Sequence, residues 1–346
     1  MTNRREFILG GVGAMSVTGL DSPTMVAQPK DIADDPSRHG LEKPDKNKHK
    51  IYMGSWCFAS GLKRPATLDQ VIKILSAYGF DGIGVGAGFV NHASIERYPD
   101  THSRKELAKY INGHDLEVAL YAPDPYGLPW ATDDDAYKSY LKSFKDSLLF
   151  TKDIGSPSMR VDPGSFGPLP RNSDYSRIWT RVVETFQKQA KMAADEGVML
   201  LWEPETAQIF VRPSEIIRLL KEVDSKNFKL NVDFAHARAI SELGHNQLRP
   251  YETLKGGVIE FINMVGAYIG DIGVVDTDDN IVSNIFASHI GLGKGNLNIE
   301  QMLQAVIATG YKGPWWGLDI IPVNEVVFTD AWNGIAAYRD MLDRLL

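Results

Sequence analysis

The chain has 346 residues, 43% of them hydrophobic and 23% charged, with a formal net charge of −7 and a single cysteine. That length allows one large domain or two small ones, and the composition is that of an ordinary globular protein. The acidic balance argues against a general polyanion binder, and a lone Cys57 excludes an intramolecular disulfide.

At the N-terminus Arg4-Arg5 precedes Phe7 and a short, glycine-rich apolar run from Leu9 to Leu20. A paired arginine ahead of a weakly apolar segment resembles a twin-arginine export signal. The run is too short to span a bilayer comfortably. Residues 1–27 are therefore read as a signal segment, which implies an exported or periplasmic protein. Residues 28–50 carry Pro29, Pro36 and Pro44 among many Lys and Asp, and read as a disordered linker. Ordered structure is expected over 51–346.

From Ile51 onward, strand-like apolar runs alternate with amphipathic segments. The runs are Ile51–Phe58, Gly82–Val85, Glu117–Tyr121, Ser158–Val161, Val198–Glu203, Lys229–Asp233, Asp271–Val275 and Trp315–Ile320. Helical patterning covers Leu68–Tyr78, Ser103–Gly113, Asp134–Asp153, Tyr175–Glu196, Pro213–Val223, Leu254–Gly266, Ile299–Thr309 and Asp330–Leu345. Glycines at 79, 113, 155, 197, 310 and 313 mark the short returns to strand, where a left-handed cap is common. Eight such alternations predict an α/β fold, a single-domain (β/α)8 TIM barrel. An open doubly wound sheet is the alternative, but Gly82-Ile83-Gly84-Val85-Gly86-Ala87-Gly88 lacks the spacing of a dinucleotide loop. Cys57, within the first run, reads as a small core residue rather than a nucleophile.

The polar residues at strand ends carry the chemistry. Leu200-Leu201-Trp202-Glu203 and Leu230-Asn231-Val232-Asp233 both stop on a carboxylate, and Asp319 ends the eighth run. In a parallel barrel that rim is the active-site face. One strand-end carboxylate is as well explained by capping the next helix. Three at separate ends, with His236 three residues beyond Asp233 and His289 opening a loop, would surround one point and suit a divalent cation. Asp276, Asp278 and Asp279 lie beyond the seventh run, and Arg160 and Asp162 at the fourth. Asn298 is placed to cap the helix after the His289-x-x-x-Gly293-x-Gly295 loop.

Taken together, these motifs resemble the xylose-isomerase-like TIM barrels, the family of sugar phosphate isomerases and epimerases. The resemblance spans 51–346. It rests on Gly79-Phe80-Asp81-Gly82-Ile83, Glu203-Pro204, Asp233-x-x-His236, His289-x-x-x-Gly293-x-Gly295 and Gly310-Tyr311-Lys312-Gly313. It implies a divalent metal (Mn²⁺, Mg²⁺, Co²⁺ or Zn²⁺) held by a Glu on strand five, an Asp on six, a His on seven and a Glu on eight. Glu203 and Asp233 match. Asp319 stands at the eighth position, one methylene shorter. Gly273 falls where the strand-seven His is usual, and Gly84 where strand two often carries a Glu. Either His289 or Asp276 completes the set, or metal binding is weakened or lost.

With a metal on Glu203, Asp233, His289 and Asp319, the resemblance implies proton abstraction beside a sugar carbonyl, with Glu203 and Asp319 as the base and acid. His236 and Arg160 would hold hydroxyls. Trp56 would stack on a sugar face, as Trp202, Trp315 or Trp316 could, although core packing explains any single Trp equally simply. The expected substrate is a free carbohydrate, with no nucleic acid and, after export, no membrane as partner; a homo-oligomer is allowed. Elimination from a keto-sugar or inosose suits the same machinery. Two other classes are a DNA-repair endonuclease, which would want more histidines and a basic groove, and a non-catalytic sugar-binding barrel that has lost its metal.

Overall fold

The computed structural model describes residues 49–346, except 88–89, 124–128, 165–166, 283–285 and 322–325. The signal segment read at 1–27 and most of the linker read at 28–50 lie outside the described residues. Eight parallel strands close into one barrel: β1 (Lys50–Gly54), β2 (Gly82–Gly86), β3 (Glu117–Ala122), β4 (Ser158–Val161), β5 (Met199–Trp202), β6 (Phe228–Asp233), β7 (Ile269–Val274) and β8 (Trp315–Leu318). Each strand pairs with its sequence neighbours, and β1 closes on β8 through Lys50↔Trp315 to Met53↔Leu318.

The helices are α1 (Leu68–Tyr78), α2 (Thr101–Asn112), α3 (Asp134–Asp153), α4 (Tyr175–Asp195), α5 (Pro213–Val223), α6 (Phe234–Ser241), α7 (Gly257–Val265), α8 (Ile299–Ala308) and α9 (Val327–Leu345). Their starts follow local chemistry. Thr67 and Asp100 cap α1 and α2 in reciprocal capping boxes, and Asn298 accepts the Gln301 N–H at the head of α8. Gly79, Gly155, Gly197 and Gly310 take the left-handed conformation after their helices, as read; Gly113 stays right-handed. No described helix is long and apolar enough to cross a membrane.

Three details differ from the sequence reading. The strand begins at Lys50, inside the stretch read as linker, because Lys50 already pairs with Trp315 of β8; its ammonium also bonds Glu117 at the start of β3. The first run also does not stay extended to Phe58. It breaks after Gly54 into a 3-10 turn, Ser55–Phe58, so Trp56 and Cys57 leave the strand at the rim. Thirdly, α6 follows β6 without a loop. All its residues but Arg238 are buried, so no polar face announced it, and His236 sits on a helix rather than in a loop.

Two aromatic rings, those of Trp56 and Trp315, pack against the barrel strands where other folds of this kind carry branched aliphatic side chains. The glycines of β2 make the room. A Cβ on Gly84 would lie 2.8 Å from the Trp56 ring, and one on Gly82 2.7 Å from that of Trp315. The glycine-rich run is thus clearance for two indoles. Trp315 lies at the N-terminal end of the strands, away from the rim, and packs edge-on against Tyr52. Trp202 packs outside the barrel on Phe228 and Phe186, and Trp316 against Tyr311.

Candidate metal centre

Glu203 directly follows β5, Asp233 ends β6, and Asp319 follows β8. Strand alternation turns all three toward the barrel axis at its C-terminal rim. One ligand oxygen from each lies within 4.8 Å of those of the other two. Two further triads overlap this one with the same spacing: Asp233, His236 and His289, and Glu203, Glu205 and His236. The residues involved are between 2% and 8% exposed, so charge here is poorly screened.

Asp233 does two jobs. Its Oδ1 accepts the His236 backbone N–H at 2.8 Å and caps α6, while its buried Oδ2 has no hydrogen-bond partner among the described residues. The capping explanation for a strand-end carboxylate therefore holds for one oxygen only. The Nδ1 of His236 is likewise buried without a hydrogen bond among the described residues.

His289 reaches the cluster from a long return loop. The loop leaves β7, runs back antiparallel through the Asp276↔Ile290 pair, and lies beside the β8 extension through His289↔Ile321. Gly273 explains why the imidazole comes from the loop. It faces Asp233 across β6 and β7, and a Cβ there would lie 2.8 Å from Asp233 Oδ2. The position where the resemblance puts a strand-borne His is thus filled by the carboxylate itself. His289 Nδ1 donates to the Ala287 carbonyl at 2.7 Å, and a carbonyl only accepts, so the proton must be on Nδ1. Nε2 faces Asp233 Oδ1 at 3.3 Å. An imidazole oriented this way by a backbone carbonyl is prepared to offer Nε2 to a metal.

Asp276, the other residue considered for the fourth ligand, is occupied elsewhere. Its carboxylate accepts the backbone N–H groups of Thr277, Gly293, Gly295 and Leu297 at 2.8 to 3.1 Å. Gly295 allows that cradle, since a Cβ would come within 2.3 Å of Asp276 Oδ1. The glycine motif after His289 is therefore a loop wrapped around one buried carboxylate. Asp278 and Asp279 brace the same loop, through Ser288 and Arg238 respectively.

Arg160, on β4, was read as a hydroxyl ligand, but both its terminal nitrogens are engaged by carboxylates. Nη1 donates to Glu203 at 2.5 Å and Nη2 to Glu205 at 2.9 Å. The sequence reading did not single out Glu205; its signal was Glu203-Pro204-Glu205, a second acid two residues past the strand. Trp56, read as a sugar-stacking ring, is buried and donates its indole N–H to Asp319 Oδ1 at 2.9 Å.

The electrostatics follow from burial. Burial pushes Glu203 well above the usual carboxylate range, against the pull of Arg160. It also raises Glu205 and Asp319, in each case against a nearby cation. For Asp233 burial acts in the same sense, but His289 outweighs it and the carboxyl is held low. Burial disfavours the His289 cation, yet Asp233 outweighs it and lifts the imidazole to about 10. Burial, and then His289, depress His236 to about 3, so it is neutral. Four acidic groups thus share the site with one guanidinium and two imidazoles, an excess of acids over bases. The excess, the lone Asp233 Oδ2 and the prepared Nε2 all fit a hard or borderline divalent cation.

A family model described as xylose isomerase-like TIM barrel matches residues 72–345. The chain is 24% identical over 252 residues to an uncharacterized protein of Methanocaldococcus jannaschii, covering 72% of this chain and 78% of that one. Among solved structures, D-psicose 3-epimerase from Clostridium cellulolyticum H10 superposes with a TM-score of 0.61 at 18% identity, over 86% of this chain and 94% of that one. A probable 3-DHS dehydratase, AsbF, from Bacillus anthracis gives 0.59 at 13% identity, over 85% and 98%. At these identities the structural likeness establishes the fold.

Proposed function

The chain belongs to the xylose isomerase-like TIM barrel family, and from that premise we propose a divalent-cation-dependent enzyme that isomerises or epimerises a sugar or keto-sugar. The observation that carries this reading is the convergence of Glu203, Asp233 and Asp319 from three strand ends on one buried point, with His289 beside them. Those four residues would hold the cation, and in that place it would supply positive charge to a carbonyl oxygen as negative charge develops. A sugar-binding barrel without a metal would have no use for so many acids buried together.

Glu203 takes the proton from the carbon beside the carbonyl. Burial raises its proton affinity, the direction that strengthens a base, and Arg160 favours the ionised form from which it acts. Asp319, with Oδ1 accepting from Trp56 and Cys57 and Oδ2 left for the cation, has no oxygen free to carry a proton, so Glu203 itself returns the proton it took. His236 is neutral and faces the same space, where it can hold a hydroxyl. Glu205 favours a second outcome of the same proton abstraction. Elimination of a neighbouring hydroxyl needs an acid for the leaving oxygen, and Glu205 is raised by burial.

The test is proton exchange. The purified protein, loaded with Mn²⁺, Co²⁺ or Mg²⁺, is incubated with free ketoses and keto-sugars in D₂O and followed by NMR. Deuterium at the carbon beside the carbonyl is expected; loss of a hydroxyl would identify elimination. A protein that binds no divalent ion and exchanges no proton would overturn the proposal.

Cation binding should itself release a proton. With a pKa lifted to about 10, His289 is protonated at pH 8 in the metal-free protein and must be neutral as a ligand. At least one proton is expected to leave per cation bound, that of His289 together with any held by the raised Glu203 and Asp319 carboxyls, and affinity should rise with pH. Titration calorimetry in two buffers of different ionisation enthalpy measures this. Release of no proton would remove His289 from the ligand set.

A further inference from the structure

The 3-10 turn Ser55–Phe58 has no part in the chemistry above, yet every polar group it carries is aimed. The Ser55 hydroxyl accepts the Gly86 N–H at 3.0 Å and ties the turn to the end of β2. The Trp56 indole N–H and the Cys57 thiol both donate to the same oxygen, Asp319 Oδ1, at 2.9 and 3.2 Å. The Trp56 ring can take this position only because β1 and β2 are glycine at the facing sites. A Cβ would lie 2.1 Å from it at Gly54, 2.8 Å at Gly84 and 3.2 Å at Gly86.

Aspartate is one methylene shorter than the glutamate that the resemblance places on the eighth strand, and it brings less reach of its own. We infer that the Ser55–Phe58 turn is a clamp that compensates for this: Trp56 and Cys57 are positioning residues that hold Asp319 Oδ1 and present Oδ2 alone to the cation. The inference rests on the metal-site reading above. It also gives a purpose to the glycines of β2, which is to seat the clamp's indole.

The experiment uses the full chain loaded with Co²⁺, whose visible spectrum reports coordination. Trp56→Phe keeps a ring in the hollow and removes the donor. It is expected to weaken Co²⁺ binding by about 10-fold and to change the spectrum, because a released Asp319 can rotate both oxygens onto the ion. Cys57→Ala should act in the same direction, while Cys57→Ser, which keeps a donor, should retain the wild-type spectrum. Trp315→Phe, at the far end of the barrel, should leave spectrum and affinity unchanged. Wild-type affinity and spectrum in the Trp56→Phe/Cys57→Ala double variant would overturn the clamp alone. Failure of the wild type to bind Co²⁺ would overturn the clamp and the metal site together. If Trp56→Phe does not fold, the Cys57→Ala and Cys57→Ser pair decides: equal spectra would overturn the inference.

Discussion

Replacing Arg160 by methionine is expected to destabilise the metal-free protein by about 3–5 kcal/mol at pH 8. Methionine preserves much of the aliphatic stem, so the loss is mainly of charge. The guanidinium is buried and bonds Glu203 and Glu205 at 2.5 and 2.9 Å. Without it both carboxylates remain buried with no cation of their own. Burial already raises both groups in the wild type, and removing Arg160 raises them further. The sign of the pH dependence follows. An acid whose folded pKa lies above its unfolded value disfavours the folded state as pH rises through the folded pKa. The penalty is therefore fully present at high pH and shrinks as pH falls toward the ordinary carboxylate range of about 4.3. A bound divalent cation should recover part of it, since it places charge in the same cluster. Urea denaturation at pH 5 and pH 8, with and without Mn²⁺, measures all three effects. A deficit that is the same in every condition would mean that Arg160 acts by packing.

The barrel was legible because its signals are local. Apolar runs of strand length alternate with amphipathic helices, and α1, α3, α5 and β4 fall on the residues their patterns mark. The misreadings share one cause, which is that the deciding contact is distant in sequence. Nothing in Trp56-Cys57-Phe58 says that the strand must stop at Gly54; the reason is a carboxylate at 319 and a hollow made by glycines at 84 and 86. Helix α6 had no polar face to reveal it, since the return loop covers Ala235 and Ala239 with Val275 and Ala287.

The candidate site divides in the same way. Glu203, Asp233 and Asp319 could be picked out because strand ends on a barrel rim converge by topology alone. The choice between His289 and Asp276 could not be made from spacing. It depends on a loop that folds back on itself, so that Asp276 is consumed by the N–H groups of Gly293, Gly295 and Leu297 while His289 is delivered to Asp233. Glu205 was overlooked because a carboxylate two residues past a strand ordinarily faces solvent. Here Arg160 draws it inward.

Glu203→Gln should separate function from stability. The amide has nearly the same shape, and its oxygen can still accept from Arg160, but it neither takes a proton nor carries charge. Turnover, read as deuterium exchange on a responsive substrate, is expected to fall by about 10²–10⁴, and cation affinity should fall with it. Stability should move the other way. The substitution removes one buried acid, whose ionised form burial disfavours, from a cluster that holds more acids than bases, and Glu205 still pairs with the guanidinium. The metal-free variant should therefore be at least as stable as the wild type at pH 8. Any gain should vanish on acidification, because a raised carboxyl is protonated in both states at low pH. Gain of stability with loss of turnover is the pattern of a site strained for its chemistry. A variant that loses stability as Arg160→Met does would show that Glu203 is a structural partner of Arg160, and full turnover would remove it from the role of base.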